Sequence, residues 1–432
     1  MKHRVAVTGM GVVAPTGQSV AEFLESLLSG RSGAGPISIF DPGSLPTRIA
    51  AEVKSTSGAA AHWSVGAELA PPCRRDRKIS FAFEAARQAF DAATACGTVP
   101  NGEGGLSLGI GLELFSMEDA VAKRRGDRLP LNRRDRLSFL QTPSDLSVSM
   151  LTARFNLTAP PATHVSACAA GTDAIGSAAR MIAQGRRRWM LAGGADSMIN
   201  PLGVAGFCSI GAMSTSNDDP AGASRPFDRR RNGFVLGEGA GLLVLERTSD
   251  AEARGATIYA EIAGYGTSFD AHGISEPHPD GRGAFQAMRR ALDDAGVEPS
   301  AIDCINAHGT STPKNDAVET LALKRLLGPR AHQVPVCSTK SMIGHLISAA
   351  GAVEAVAAIA CMNQGWVHPT INLDEPDAAC DLDYVPHTAR RHEQEYVLSS
   401  SFAFGGQNAS IVIRRAMQRQ RHEAHEVFSW KE

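Results

Sequence analysis

His164 to Ile182 reads HVSACAAGTDAIGSAARMI, and the rest of the chain is best understood outward from it. A short apolar run ends at Ser166, Cys168 follows, and small residues at helical spacing continue past Gly171, so the segment is a strand, a turn and a helix. The helix is built from Ala and Gly, which suits the interior rather than a surface. Arg4 to Val13, Trp189 to Gly194 and Gly239 to Leu245 are further β-branched, glycine-punctuated strands. Gly171 to Gln184, Gly283 to Ala295 and Ser348 to Cys361 have helical periodicity. Such alternation over nearly the whole length is the pattern of an α/β protein whose strands are covered on both faces.

The 432 residues, 43% of them hydrophobic, suffice for a large core in two or three domain-sized units. A second series of strands begins near Ile258 (IYAEIAGYG) and repeats the order of strand, glycine-rich turn and buried helix. This predicts two similar halves, residues 1–255 and 256–415, followed by a polar tail over 416–432, although no strict sequence repeat is visible. Residues 113–142 (ELFSMEDAVAKRRGDRLPLNRRDRLSFLQT) are an irregular, charge-rich insertion of a length usually tied to function or an interface. Lys+Arg total 43 against 45 Asp+Glu, so no whole-chain field points to nucleic acid or a membrane surface. The opening MKHRVAVTGMGVVAPTG is interrupted by Thr8, Gly9 and Gly11 and reads as a strand entering a glycine turn rather than a signal peptide. No segment approaches the roughly 20 apolar residues of a membrane span. The eight cysteines are scattered without a C-x-x-C pair, which implies a cytoplasmic, reducing setting and no zinc site.

Cys168 differs from the other cysteines in its place at a helix N-terminus. There the helix potential lowers a thiol pKa from about 8.5 and backbone N–H groups are available to an oxyanion. A buried packing cysteine is the alternative. NAHGTSTPKND sets His308 in a Gly/Thr-rich turn after an apolar strand, and STKSMIGHLISAAGAVE sets Lys340 and His345 on a loop entering an alanine helix. Each histidine adjoins glycine, where the backbone lets a ligand come near, although a strand-end histidine also serves as a core hydrogen-bonding residue. Two imidazole N–H donors would stabilise the enolate left when a malonyl thioester loses CO2. Lys340 would orient His345 or its loop. Glu354, roughly two to three helical turns beyond His345, is its candidate buried partner in catalysis or in a structural ion pair. SSSFAFGGQNASIVI carries Phe402, Phe404, Gly405 and Gly406, either a mobile aromatic gate or a hairpin with core phenylalanines. RNGFVLGEGAGLLVLER reads as a structural hairpin near the active centre.

Taken together, VSACAAG, NAHGTST, KSMIGHLISAAGAVE and SFAFGGQNAS resemble the β-ketoacyl-acyl-carrier-protein synthases, nearest to the second, elongating type and to related polyketide ketosynthases. The resemblance covers residues 3 to 415. It implies a thiolase-type fold of two βαβ-rich halves in a five-layered α/β/α/β/α core, normally a homodimer, and decarboxylative Claisen condensation without metal or cofactor. On that resemblance Cys168 is the acylated nucleophile, and its own N–H and that of Phe404 form the oxyanion hole. His308 and His345 assist decarboxylation and condensation, with Lys340 and Glu354 in supporting positions. Thr310 and Thr312 contact the phosphopantetheine arm, and Phe404 gates. Ala169, Ala170, Ala403 and Gln407 depart from the usual Thr, Ser or Gly of similar enzymes and surround the acyl channel. Phe115, Ser116 and Met117 of the insertion are expected to shape the acyl pocket.

The implied partner is an acidic acyl carrier protein. Arg74, Arg75, Arg77 and Lys78, with Arg133, Arg134 and Arg136, are the basic clusters expected to dock it, a solvated charged face being the alternative. Three other classes compete. A Cys/His hydrolase leaves the second histidine without a role, and a coenzyme A thiolase would carry a second cysteine in the C-terminal loop. A non-catalytic chain-length partner would lack the nucleophile, which leaves open a heterodimer with this chain as its catalytic half. The altered pocket and gate lean towards a specialised polyketide or polyene pathway rather than primary fatty-acid elongation.

Overall fold

The computed structural model describes residues 3–54, 76–100, 104–111, 124–126 and 144–416. Its strands are β1 (Val5–Val13), β2 (Ala34–Pro36), β3 (Ile49–Ala51), β4 (Gly105–Ile110), β5 (Ala162–His164), β6 (Trp189–Ser197) and β7 (Glu238–Arg247). They continue with β8 (Ala260–Phe269), β9 (Cys304–Asn306), β10 (Val336–Cys337), β11 (Trp366–Val367), β12 (Arg390–Arg391), β13 (Tyr396–Phe402) and β14 (Gln407–Arg415). Ten of them form one ladder in the order β10-β9-β13-β14-β8-β1-β7-β6-β4-β5. Reading outward from its centre, β1-β7-β6-β4-β5 and β8-β14-β13-β9-β10 repeat the same sense, two antiparallel pairings and then two parallel ones. Only Ala6↔Glu261 and Val7↔Ala260 join the two runs.

The helices that position the site are α1 (Val20–Leu28), α2 (Arg77–Thr94), α3 (Ser144–Phe155), α4 (Ala170–Ala183), α5 (Pro201–Ser209), α6 (Arg282–Ala295), α7 (Pro313–Leu327) and α8 (Ala350–Gln364). α2 covers the outer face of β1, β7 and β6, where Ile79, Phe81 and Phe83 pack with Leu106 and Leu108. α4 and α8 lie between the two runs of strands, and Ile175 and Ile182 share a core with Val353 and Val356. α6 and α7 close the far side with Met288 and Leu323. The order is helix, sheet, helix, sheet, helix, the five layers expected. Small residues make the middle layer possible: a Cβ on Gly171 would stand 2.9 Å from the Ser348 carbonyl oxygen, and one on Gly351 would stand 1.9 Å from Thr172 Oγ1.

Three expectations need correction. Gly9 and Gly11 are not in a turn but inside β1, where a Cβ on either would stand 1.9 Å from a carbonyl oxygen of α2. They are there so that the helix can lie close against the strand. RNGFVLGEGAGLLVLER is not a hairpin: its second part is the central strand β7, buried on both faces, and its first is an irregular run with Phe234 and Leu236 bridged to Met213 and His345. One stretch of 18 residues, Ile347–Gln364, is apolar and long enough to cross a membrane, the only such helix among the described residues. It is 89% buried within the protein, because it is the helix of the middle layer, covered by strands on both sides.

Candidate active site

The nucleophile turn is a single 3-10 turn, Ala167–Ala169, between β5 and α4. Ala167 sits at φ +47°, a left-handed conformation that costs a non-glycine residue strain and re-aims the next side chain. Ser166 secures the turn, donating its hydroxyl proton to Asp173 of α4 while its carbonyl accepts the Ala169 N–H. Cys168 is 2% exposed and faces His345, with Sγ and Nε2 3.0 Å apart. The Ile347 N–H donates to His345 Nδ1 at 3.2 Å, so in the neutral ring the proton resides on Nε2, pointing at sulfur. His308, just beyond β9, stands edge-on to His345 with ring centroids 5.3 Å apart, and Phe402 flanks it at 5.8 Å. The thiol and one nitrogen of each ring lie within 4.8 Å of one another, a spacing that a soft metal ion would also accept. With its proton on Nε2, His345 meets the sulfur as a hydrogen-bond donor.

Electrostatics agree with donors rather than acids. Burial holds His345 well below the usual imidazole range, and the Lys340 ammonium lowers it further. Burial does the same for His308, again with Lys340 and then His345 contributing. Both rings therefore stay neutral at physiological pH and offer N–H groups without charge. Lys340 forms an ion pair with Glu354 of α8, both side chains at most 2% exposed. Burial raises the Glu354 carboxyl and the Lys340 charge pulls it back. The expected depressed thiol is not what the resting site produces: desolvation pushes Cys168 up to about 12, against the Phe404 N–H, Lys340 and its own N–H, which stabilise the thiolate. The helix N-terminus is present, but complete burial outweighs it.

A cavity of about 240 Å³ opens onto these groups. Thr310 and Thr312, whose hydroxyls are 2.9 Å apart, line it together with Phe402 and Phe404. Phe404 begins a tight turn in which Gly405 and Gly406 take φ +83° and +80°. The site also uses carboxylates that sequence reasoning missed. Glu319 accepts the His308 and Gly309 N–H groups at 2.7 and 2.8 Å, and burial raises it to about 7. Asp316 accepts the Thr310 and Phe227 N–H groups, and Asp196 that of Ser348. Asp316 and Glu319 are three apart on α7, directly after the His308 loop. That spacing is visible in the sequence, but acids near the start of a helix ordinarily face water.

The basic clusters fare differently. Lys78 is 2% exposed with its ammonium 3.0 Å from Asp76, which removes it from the docking surface of this chain. Arg77 is committed inward, to Glu238 at 2.8 Å and the Val53 carbonyl at 2.7 Å. The reason is that α2 packs its N-terminal turn on the core, so these two cations neutralise buried carboxylates. Arg74, Arg75, Arg133, Arg134 and Arg136, with Phe115, Ser116 and Met117, lie outside the described residues.

A buried thiol facing two neutral imidazoles inside a five-layered α/β fold is the layout of a condensing acyltransferase. The chain belongs to the β-ketoacyl synthase family: residues 2–251 match the Beta-ketoacyl synthase, N-terminal domain, and residues 259–374 match the Beta-ketoacyl synthase, C-terminal domain. It is 41% identical over 418 residues to 3-oxoacyl-[acyl-carrier-protein] synthase 2 of Coxiella burnetii, covering 96% of this chain and 99% of that one. Among solved structures, the ishigamide ketosynthase/chain length factor matches with TM-score 0.85 and 33% identity, over 96% of this chain and 100% of that one. A type II PKS acyl-carrier protein in complex with its ketosynthase bound to the hexaketide matches with TM-score 0.84 and 32% identity over the same shares. The fold is therefore of thiolase type, and the chain is a β-ketoacyl synthase that lengthens an acyl chain by condensation.

Proposed function

We propose that Cys168 is the residue that carries the acyl chain and that His308 and His345 together hold the enolate. The observation that carries this is the 3.0 Å approach of His345 Nε2 to Cys168 Sγ, with His308 edge-on beside it. In the first half-reaction the Cys168 sulfur attacks the thioester of an acyl carrier protein. A new S–C bond forms as the carrier's S–C bond breaks, and the Cys168 proton leaves with the carrier thiol. The N–H groups of Cys168 and Phe404 stabilise the tetrahedral oxyanion. In the second, malonyl carrier protein loses CO2 and the electron pair passes into its thioester carbonyl, where the two imidazole N–H groups meet the oxygen. The carbanion carbon attacks the acyl carbonyl, and Cys168 leaves and takes up one proton. Burial, with the Lys340 charge adding to it, keeps both rings neutral and therefore able to donate to a developing anion without being spent as acids.

The reading extends to context. The enzyme works in the cytoplasm as a homodimer, needs no metal or cofactor beyond the carrier's phosphopantetheine, and comprises halves 1–255 and 256–415. Thr310 and Thr312 guide the arm and Phe404 gates the thiol. Its pathway is a specialised polyketide or polyene one, with malonyl as extender. The ketosynthase/chain length factor relative supports a second arrangement, in which this chain is the catalytic half of a heterodimer.

Intact-mass analysis after incubation with a panel of acyl carrier proteins, then malonyl carrier protein, tests the reaction. The wild type is expected to gain an acyl mass that disappears on malonyl addition and yields a ketoacyl carrier two carbons longer, while Cys168→Ala gains none. Absence of an adduct with every donor would sink the catalytic assignment and favour the non-catalytic partner.

A further inference from the structure

The mouth of the cavity is bridged by an ion pair that the condensation chemistry does not use. Lys314, in the first turn of α7 two residues after Thr312, meets Glu276, and both side chains line the cavity. They are 62% and 47% exposed, far more than the thiol and imidazoles at the base. Glu276 belongs to the segment 270–281 between β8 and α6, and this segment is tied to the gate by its backbone. The Gly405 N–H donates to the Ile274 carbonyl at 2.6 Å and the Asp270 N–H to the Gly406 carbonyl at 2.8 Å. The pair therefore fastens the segment that holds the Phe404 turn to the helix that follows the His308 loop.

We propose that Glu276 and Lys314 form a latch over the entry channel, and that Lys314 is the anchor for the phosphate of the incoming phosphopantetheine arm, which displaces the Glu276 carboxylate and frees the 270–281 segment. The proposal rests on the carrier-borne substrate argued above. An exposed ion pair is weak and open to competition. A phosphodiester and a carboxylate each bring one negative charge and free oxygens, so either can pair one for one with the Lys314 ammonium. A free arm ends in a phosphate monoester whose charge of about −1.5 to −2 competes well with one carboxylate, and a docked carrier adds to the bias by holding its phosphate at high effective concentration at the mouth. Lys314 keeps the Glu276 carboxyl below the usual carboxylate range, with His272 adding to the effect, so the latch stays charged at neutral pH. Thr310 and Thr312 lie on the route inward from Lys314.

The test compares acylation of Cys168 by one acyl group presented on phosphopantetheine and on pantetheine, the acyl group being the one loaded fastest from carrier protein. Wild type is expected to favour the phosphorylated arm about fivefold in kcat/KM, and Lys314→Met to bring that ratio to about one. Glu276→Gln is expected to raise the ratio and to speed iodoacetamide alkylation of Cys168 about two- to threefold. Glu276→Lys combined with Lys314→Glu should restore slow alkylation while leaving no phosphate preference, which separates latch from anchor. Acylation with the same ratio in wild type and Lys314→Met, or unchanged alkylation in Glu276→Gln, would overturn the latch and leave the condensing reaction standing. Absence of acylation by either arm would overturn the reaction, and the latch with it.

Discussion

Two turns in this molecule have nearly the same backbone and opposite duties. In one half Ala167 (φ +47°) opens a 3-10 turn over Ala167–Ala169 that runs into α4. In the other Ile347 (φ +46°) opens one over Ile347–Ala349 that runs into α8. The residues match in step: Cys168-Ala169-Ala170-Gly171 against Ser348-Ala349-Ala350-Gly351. Cys168 ends at the cavity opposite an imidazole, whereas Ser348 is fully buried with its N–H held by the Asp196 carboxylate. The strained turn therefore does not by itself make a nucleophile. It presents a side chain in a fixed direction, and the elements facing it decide whether that direction is a reaction site or a packing contact.

The strongest way to break this comparison is to move the thiol. Cys168→Ser is expected to reduce acyl loading by at least about a thousandfold, a hydroxyl with no adjacent base being a far weaker nucleophile than a thiolate. Ser348→Cys is expected to carry one acyl group per chain, at Cys168 only, by peptide mapping. A thioester at position 348 when Cys168→Ser and Ser348→Cys are combined would show that backbone geometry alone confers reactivity. A smaller effect concerns the crossing of the two helices. Gly171→Ala and Gly351→Ala each force a contact below 3 Å, and each is expected to lower stability by about 1–3 kcal/mol in denaturant titrations. Equal losses would mark the crossing as symmetric, and an additional fall in acylation for Gly171→Ala alone would locate the asymmetry at the nucleophile turn.

The smallest effect is a pH dependence. Glu319, raised to about 7, accepts two backbone N–H groups at the His308 turn as a carboxylate and loses acceptor capacity on protonation. The condensation rate is expected to fall a few-fold as pH drops through about 7, a step that Glu319→Gln should remove from the profile. Stability moves the other way. A folded-state pKa above the ordinary one means the native protein binds this proton more tightly. The contribution is fully present below the ordinary carboxylate range and is lost as pH rises through about 7.

Cys168, His308, His345 and the Phe404 turn were legible because each combines a reactive or aromatic residue with Gly or Ala at the end of an apolar run, and those local facts survive folding. The α/β architecture with strands covered on both faces was legible from alternating strands and small-residue helices, whereas the five layers came from the family resemblance. What was not legible depends on which side of an element faces inward. Lys78 and Arg77 read as a basic surface patch, yet α2 turns them onto Asp76 and Glu238. Asp316 and Glu319 carried no sequence signal of burial, yet α7 turns them under the His308 loop. The thiol pKa was misjudged for the same reason, since the helix potential is local whereas desolvation is set by every layer around it. Glycines 9 and 11 mark where a helix must come close as readily as where a chain must bend.

The placement of α8 also bears on how the chain can be made. This helix completes, beside α4, the cover on the inner face of β1, β6 and β7, but its residues leave the ribosome about a hundred positions after β7. At roughly 5–20 residues per second, the Ala- and Gly-rich inner face of the first half waits on the order of 5–20 s for the rest of its cover. During that interval β1, β6 and β7 present an apolar surface to the cell, so nascent chains should engage chaperones until Gln364 has emerged, and truncation before α8 should yield aggregates rather than a folded half.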